Sequence, residues 1–102
     1  MQHFLIRFTD KTNSAGLRKE KLKEHLAWLK EHKDVIPAAG SLREKEDGLP
    51  IGGCWIIEAE TRDEVEILIH TDPFWMAGLR EEIEILHWSL AFSNNDIPAM
   101  AS

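Results

Sequence analysis

One cysteine, Cys54, stands in a chain of 102 residues, so no intrachain disulfide can form. It lies in the apolar run Cys54-Trp55-Ile56-Ile57 with no base beside it in sequence, the setting of a buried inert thiol rather than a nucleophile. No stretch approaches the roughly 18 apolar residues of a membrane span. The start, Met1-Gln2-His3-Phe4-Leu5-Ile6-Arg7-Phe8, is too short for a secretory signal and carries an arginine, so a cytoplasmic protein is expected. Basic blocks are missing too. The net charge of −6 argues against nucleic acid and anionic membranes as partners. There is no His-Glu-x-x-His, no Cys-x-x-Cys, no glycine-rich phosphate loop and no Gly-x-Ser-x-Gly elbow. The expectation is a protein without metal or cofactor. His3 and His87 fall near the ends of neighbouring strands and are conceivable adventitious ligands, but no third ligand accompanies them.

What is present reads as one α+β domain over residues 1–92, with a flexible tail at 93–102. Residues 3–9 read as a strand. From Leu17 to Lys33 the pattern is helical, with Leu22, Leu26 and Leu29 forming the apolar stripe. Val35 to Leu42 is a second strand, and Pro37 favours an edge position for it. Asp47-Gly48 marks a hairpin connection to a third strand, 52–60, where Gly52-Gly53 permits a bulge or close packing. Thr61-Arg62-Asp63-Glu64 is a capping box that opens a second helix. That helix ends near Thr71, ahead of Pro73. A short turn follows at 74–79, then a fourth strand at 82–92.

The order is βαββαβ, the ferredoxin-like arrangement with a four-stranded antiparallel sheet and both helices on one face. Strands one, three and four carry apolar residues on both faces. The uncovered face would be a large apolar patch, which soluble monomers avoid. A homodimer with sheets stacked face to face, a dimeric α+β barrel, is therefore expected.

Two residues carry the candidate chemistry. His25 borders the apolar stripe of the first helix, three after Leu22 and four before Leu29. Asp72 precedes Pro73, the pattern of an N-cap followed by proline at the first helical position. A carboxylate there can cap with one oxygen and orient an imidazole with the other. Brought together, the two form a dyad able to move a proton near neutral pH. Trp75 and Met76 are candidates for a pocket wall beside Asp72. His32 lies among lysines and reads as solvated.

The ordered set Arg18-x6-His25-Leu26-Ala27-Trp28-Leu29, Ala39-Gly40-Ser41-Leu42, Asp72-Pro73-Phe74-x-x-Ala77-Gly78-Leu79 and Trp88 resembles the YciI-like (YCII-related) family over residues 3–92. The resemblance implies a dimeric α+β barrel with a site built on His25 and Asp72. Some relatives are associated with dehydrochlorination of chlorinated hydroxyquinols, and related barrels include lactone isomerases and small monooxygenases. Leu22 stands where relatives often carry a second arginine, and Gly40-Ser41 where they often have Gly-Pro. Substrate identity therefore does not carry over. The expected function is a small cofactor-free lyase or isomerase acting on an anionic or phenolic substrate. His25 would act as acid or base and Asp72 would fix its tautomer. Arg18, Gly40, Ser41, Phe74, Trp75 and Gly78 would contribute to the pocket. The alternative is a non-catalytic small-molecule-binding or protein-interaction domain in which the dyad is structural.

Overall fold

Residues 1–92 are described by a computed structural model, and the expected tail at 93–102 lies outside the described residues. The elements are β1 (Gln2–Asp10), α1 (Ala15–Glu31), β2 (Ala38–Leu42), β3 (Gly52–Ala59), α2 (Arg62–Ile69), α3 (Pro73–Met76) and β4 (Arg80–His87). They form one antiparallel sheet in the order β2-β3-β1-β4, with β2 at the edge as Pro37 suggested. The chain has the ferredoxin-like α+β fold.

Side-chain alternation sorts the sheet into two faces. Phe4, Ile6 and Phe8 of β1 point to the helices, with Trp55 and Ile57 of β3 and Ile83 and Ile85 of β4 beside them. Val65 and Ile69 of α2 and Trp28 of α1 close over this layer. Each fully buried side chain of this kind is worth about 1.5–3 kcal/mol. The other face carries one apolar row, Leu86–Leu5–Ile56, running across β4, β1 and β3. An Arg7–Glu84 ion pair at 2.6 Å and a His3–Glu58 contact at 3.4 Å flank the row. The open face is thus narrower in its apolar content than the sequence suggested, and Cys54 is half-buried there rather than sealed in the core.

The Thr61 cap forms, the Glu64 amide donating to Thr61 Oγ1 at 3.2 Å, while Glu64 Oε2 reaches one residue past the cap and accepts from the Glu60 amide at 3.0 Å. Gly52 answers a close approach, since a Cβ there would stand 2.0 Å from the Phe8 carbonyl oxygen. The bulge lies elsewhere, between β1 and β4, where the register steps past Glu81 at Thr9/Asp10.

Helix ends shift by about two residues, α1 running Ala15–Glu31 and α2 ending at Ile69, and the strand boundaries differ more informatively. β2 starts at Ala38 because Val35 and Ile36 turn back to bond the His32 carbonyl. β4 starts two residues earlier, at Arg80. It stops at His87 because β1 begins at Gln2 and offers little backbone beyond; the final link is Trp88 N–H to the His3 carbonyl at 2.9 Å. His3 and His87 lie on opposite faces, since His87 opposes Phe4 while His3 opposes Glu58, so they do not form a shared ion site. His32 is half-buried, with Nδ1 bonded to the Trp28 carbonyl at 2.8 Å and its ring on Trp28, not solvated as its lysine neighbours implied. Among the described residues no helix is long and apolar enough to cross a membrane.

Candidate active site

The buried face of α1 is His25 and Trp28, one turn apart, rather than the leucines. Leu22 and Leu26 are 41% and 54% exposed. The helix sets its histidine and tryptophan over the sheet and α3. Its leucine side borders the gap toward β2, every residue of which is exposed. Leu22 and Leu26 therefore wall a cavity instead of filling the core, while half-buried Leu29 lines the cavity and packs against the core as well.

α3 brings the carboxylate to the imidazole. Asp72 caps that helix, its Oδ1 accepting from the Phe74 amide at 3.2 Å, with Pro73 pre-set at the first helical position. The same oxygen lies 2.6 Å from His25 Nδ1. One oxygen thus performs both tasks that the sequence divided between two. Oδ2 is buried and has no partner among the described residues. Asp72 itself is fully buried and His25 nearly so. The His25 ring stacks on Phe74, with centroids 4.0 Å apart and planes 16° from parallel, and Trp55 lies 5.8 Å away. Trp28 Nε1 donates to Thr71 Oγ1 at 3.0 Å, tying α1 to the segment that carries Asp72. In a neutral imidazole held this way Nδ1 carries the proton and donates it to the carboxylate, leaving the Nε2 lone pair as the basic position. Protein groups among the described residues form no hydrogen bond with Nε2.

His25 sits on the wall of a cavity of about 220 Å³ between α1 and the β2–β3 edge. Pockets for drug-sized ligands run from roughly 300 Å³, so a smaller molecule suits this one. The apolar wall is Leu22, Leu26, Leu29 and Trp55; the edge-strand wall is Ala39, Gly40, Ser41 and Gly53. Arg18, Arg43 and Arg80 supply the charge, and among the described residues no carboxylate lines the cavity.

The arginines are held differently. Arg18 gives Nε and Nη2 to Asp10 Oδ2, at 3.1 and 2.7 Å, and reaches the Gly52 carbonyl at 3.2 Å. Arg80 gives Nη1 to Asp10 Oδ1 at 2.7 Å and lies over the Phe8 ring at 4.2 Å. Arg43 is exposed and bonds the Gly48 carbonyl and Ser41 Oγ. Burial lowers the Arg80 pKa from its ordinary value, while the hydrogen bond and charge of Asp10 act the other way. A guanidinium so placed remains cationic at neutral pH.

Of the residues singled out from sequence, the structure joins His25 to Asp72 and puts Arg18, Gly40 and Ser41 on the cavity wall. Phe74 is fully buried beneath His25 and supports it without lining the cavity. Trp75 points away, stacking on His70 at 4.8 Å, and Met76 is exposed outside the cavity. Gly78 closes α3 with φ +79° and also lies outside. Asp10, Arg43 and Arg80 were missed. Asp10 falls one residue beyond the strand read at 3–9. The β-bulge hides Arg80: on β4 the helix-facing positions are Ile83, Ile85 and His87, so unbroken alternation would aim Glu81 inward. The bulge exchanges it for Arg80, opposite Asp10.

The fold is that of the dimeric-barrel class. The chain is similar to protein Atu4242 from Agrobacterium tumefaciens at TM-score 0.57 and 16% identity, covering 98% of this chain and 100% of that one. It is also similar to an antibiotic biosynthesis monooxygenase, at TM-score 0.53 and 12% identity over 88% and 98% of the two chains. At these identities the likeness concerns the fold alone. Much nearer is 5-chloro-2-hydroxyhydroquinone dehydrochlorinase (TftG) from Burkholderia phenoliruptrix, solved in complex with 2,5-dihydroxybenzoquinone. It shares 32% identity at TM-score 0.79 over 85% of this chain and 93% of that one. The YCII-related domain model matches residues 1–89. The chain belongs to the YCII-related family. Comparison with curated proteins gives no match.

Proposed function

We propose that this chain is a small lyase of the dehydrochlorinase kind, acting on a hydroxylated, halogenated ring. The observation that carries the reading is the His25–Asp72 contact of 2.6 Å on the wall of an arginine-lined cavity. The likeness to a dehydrochlorinase at 32% identity supports it.

The chemistry asked of the dyad is modest. An aromatic carbon does not readily expel halide. Delivery of a proton to the chlorine-bearing carbon of a polyhydroxylated ring with one hydroxyl already ionised makes that carbon tetrahedral and the ionised oxygen a carbonyl. Loss of a second hydroxyl's proton then drives electrons through the ring, and chloride leaves with its bonding pair. Only HCl is lost and a hydroxyquinone remains, so the step needs no oxidant. His25 Nε2 serves as the proton carrier in both movements. Asp72 fixes the tautomer and stabilises the imidazolium. General acid–base catalysis of this type contributes about 10²–10⁴ in rate. Arg18 and the Gly40-Ser41 wall orient the ring.

The test is chloride release from a panel of chlorinated di- and trihydroxybenzenes. Turnover by the wild type and its loss in His25→Gln support the reading. Equal turnover by both proteins removes His25 from the chemistry. No turnover with any ring, together with tight ring binding, would favour the binding-domain alternative.

The same reading includes a homodimer joined through the open sheet face, supported by the row Leu5, Ile56 and Leu86. Sedimentation at micromolar concentration should give twice the chain mass, and Leu86→Glu should shift it toward one. A monomeric wild type would remove the dimer from the account.

A further inference from the structure

Among the charged groups of the cavity, Arg80 is the one with a buried donor that finds no partner among the described residues. It is 8% exposed and lies over both Phe8 and Phe74, at 4.2 and 5.2 Å from their centroids. Nη1 is committed to Asp10, whereas Nε is buried with no partner and no protein group among the described residues accepts from Nη2. Taking a guanidinium out of water is costly unless its donors are matched. Asp10 matches only part of that cost, because its other oxygen serves Arg18.

The free arm borders the cavity. A Cβ on Gly53 would stand 3.6 and 3.7 Å from Arg80 Nη1 and Nη2, and Gly53 and Arg80 both line the cavity wall. Gly53 thus leaves the face of the fork uncovered. Arg18 differs, with Nε and Nη2 already given to Asp10 and the Gly52 carbonyl. Arg43 differs again, being exposed and bonded to its own loop.

We propose that Arg80 is the anion-holding group of this site, its Nη2 donating to an ionised oxygen on a planar hydroxylated or quinonoid ring while His25 Nε2 faces the proton to be moved. This rests on the lyase reading for its purpose but not for its test. A buried and a half-buried positive charge, Arg80 and Arg18, share one carboxylate at Asp10, and Asp72 is engaged by His25. A substrate oxygen that becomes negative as its proton leaves therefore meets a preorganised donor. Asp10 is a positioning residue, since it clamps both guanidinium groups without lining the cavity.

Binding, not turnover, is the readout. The probes are 2,5-dihydroxybenzoquinone, ionised at neutral pH, and its dimethoxy analogue, which cannot ionise. The wild type should bind the anion tighter by roughly ten- to a hundredfold, the usual worth of a hydrogen bond to a charged group. Arg80→Lys keeps a cation for Asp10 but lacks the second arm. Its anion affinity should fall by about tenfold or more, with the neutral analogue little changed. Equal binding of the two probes by the wild type would overturn the proposal, whatever the variant does. So would an Arg80→Lys protein that binds the anion within twofold of the wild type. If Arg43→Met abolishes the preference instead, the anion sits at the rim and Arg80 is only structural. Absence of turnover in the same protein would count against the lyase reading alone.

Discussion

The two walls of the cavity are built on different terms. On the α1–α3 side, His25, Asp72 and Phe74 are buried, stacked and hydrogen-bonded. On the β2 side, every residue of the strand is exposed, and Arg43 is held by its own loop. The first wall is part of the hydrophobic core and inherits its rigidity. The second is an edge strand whose side chains can change at little cost to the fold. Chemistry on the first wall and ring selection on the second is the division this contrast suggests. Leu22 and Ser41 both line the cavity outside the dyad.

The contrast can be broken from its rigid side. His25→Gln should lower turnover by about 10²–10⁴, read as initial rate of chloride release. Phe74→Ala removes the ring under the imidazole and should cost about 3–5 kcal/mol of stability, measured by urea unfolding; a loss below 1 kcal/mol would show that α3 is not part of the core. Asp72→Ala leaves the Phe74 amide and His25 Nδ1 without their acceptor. It should cost about 1–3 kcal/mol as well as most of the activity. On the exposed side, Ser41→Ala should change stability by no more than about 0.5 kcal/mol while altering KM several-fold with kcat held. If Ser41→Ala destabilised the protein as much as Phe74→Ala, the two walls would not differ in kind.

Much of this was legible in the residues. Asp72-Pro73 announced a capped helix, and the placement of His25 beside apolar positions suggested that it faces inward. Leu22 and Leu26 misled because a leucine stripe is read as core, and spacing alone does not reveal that the helix turns this side to a gap; Leu29 does pack against the core. Arg80 was illegible for a sharper reason. Strand alternation predicts facing only while the register is unbroken, and a single bulge at Glu81 reverses it. Asp10, at a strand end beside turn formers, carries no local mark of the two arginines it holds from distant segments.

The central claim is that Asp72 fixes the His25 tautomer so that Nε2 is the base presented to the cavity. Long-range proton–nitrogen correlation spectra of the neutral imidazole, with and without 2,5-dihydroxybenzoquinone, test it most directly. The account predicts a proton on Nδ1 and a bare Nε2 whose resonance moves when the ring binds. A proton on Nε2, or an Nε2 signal indifferent to the ligand, would contradict it.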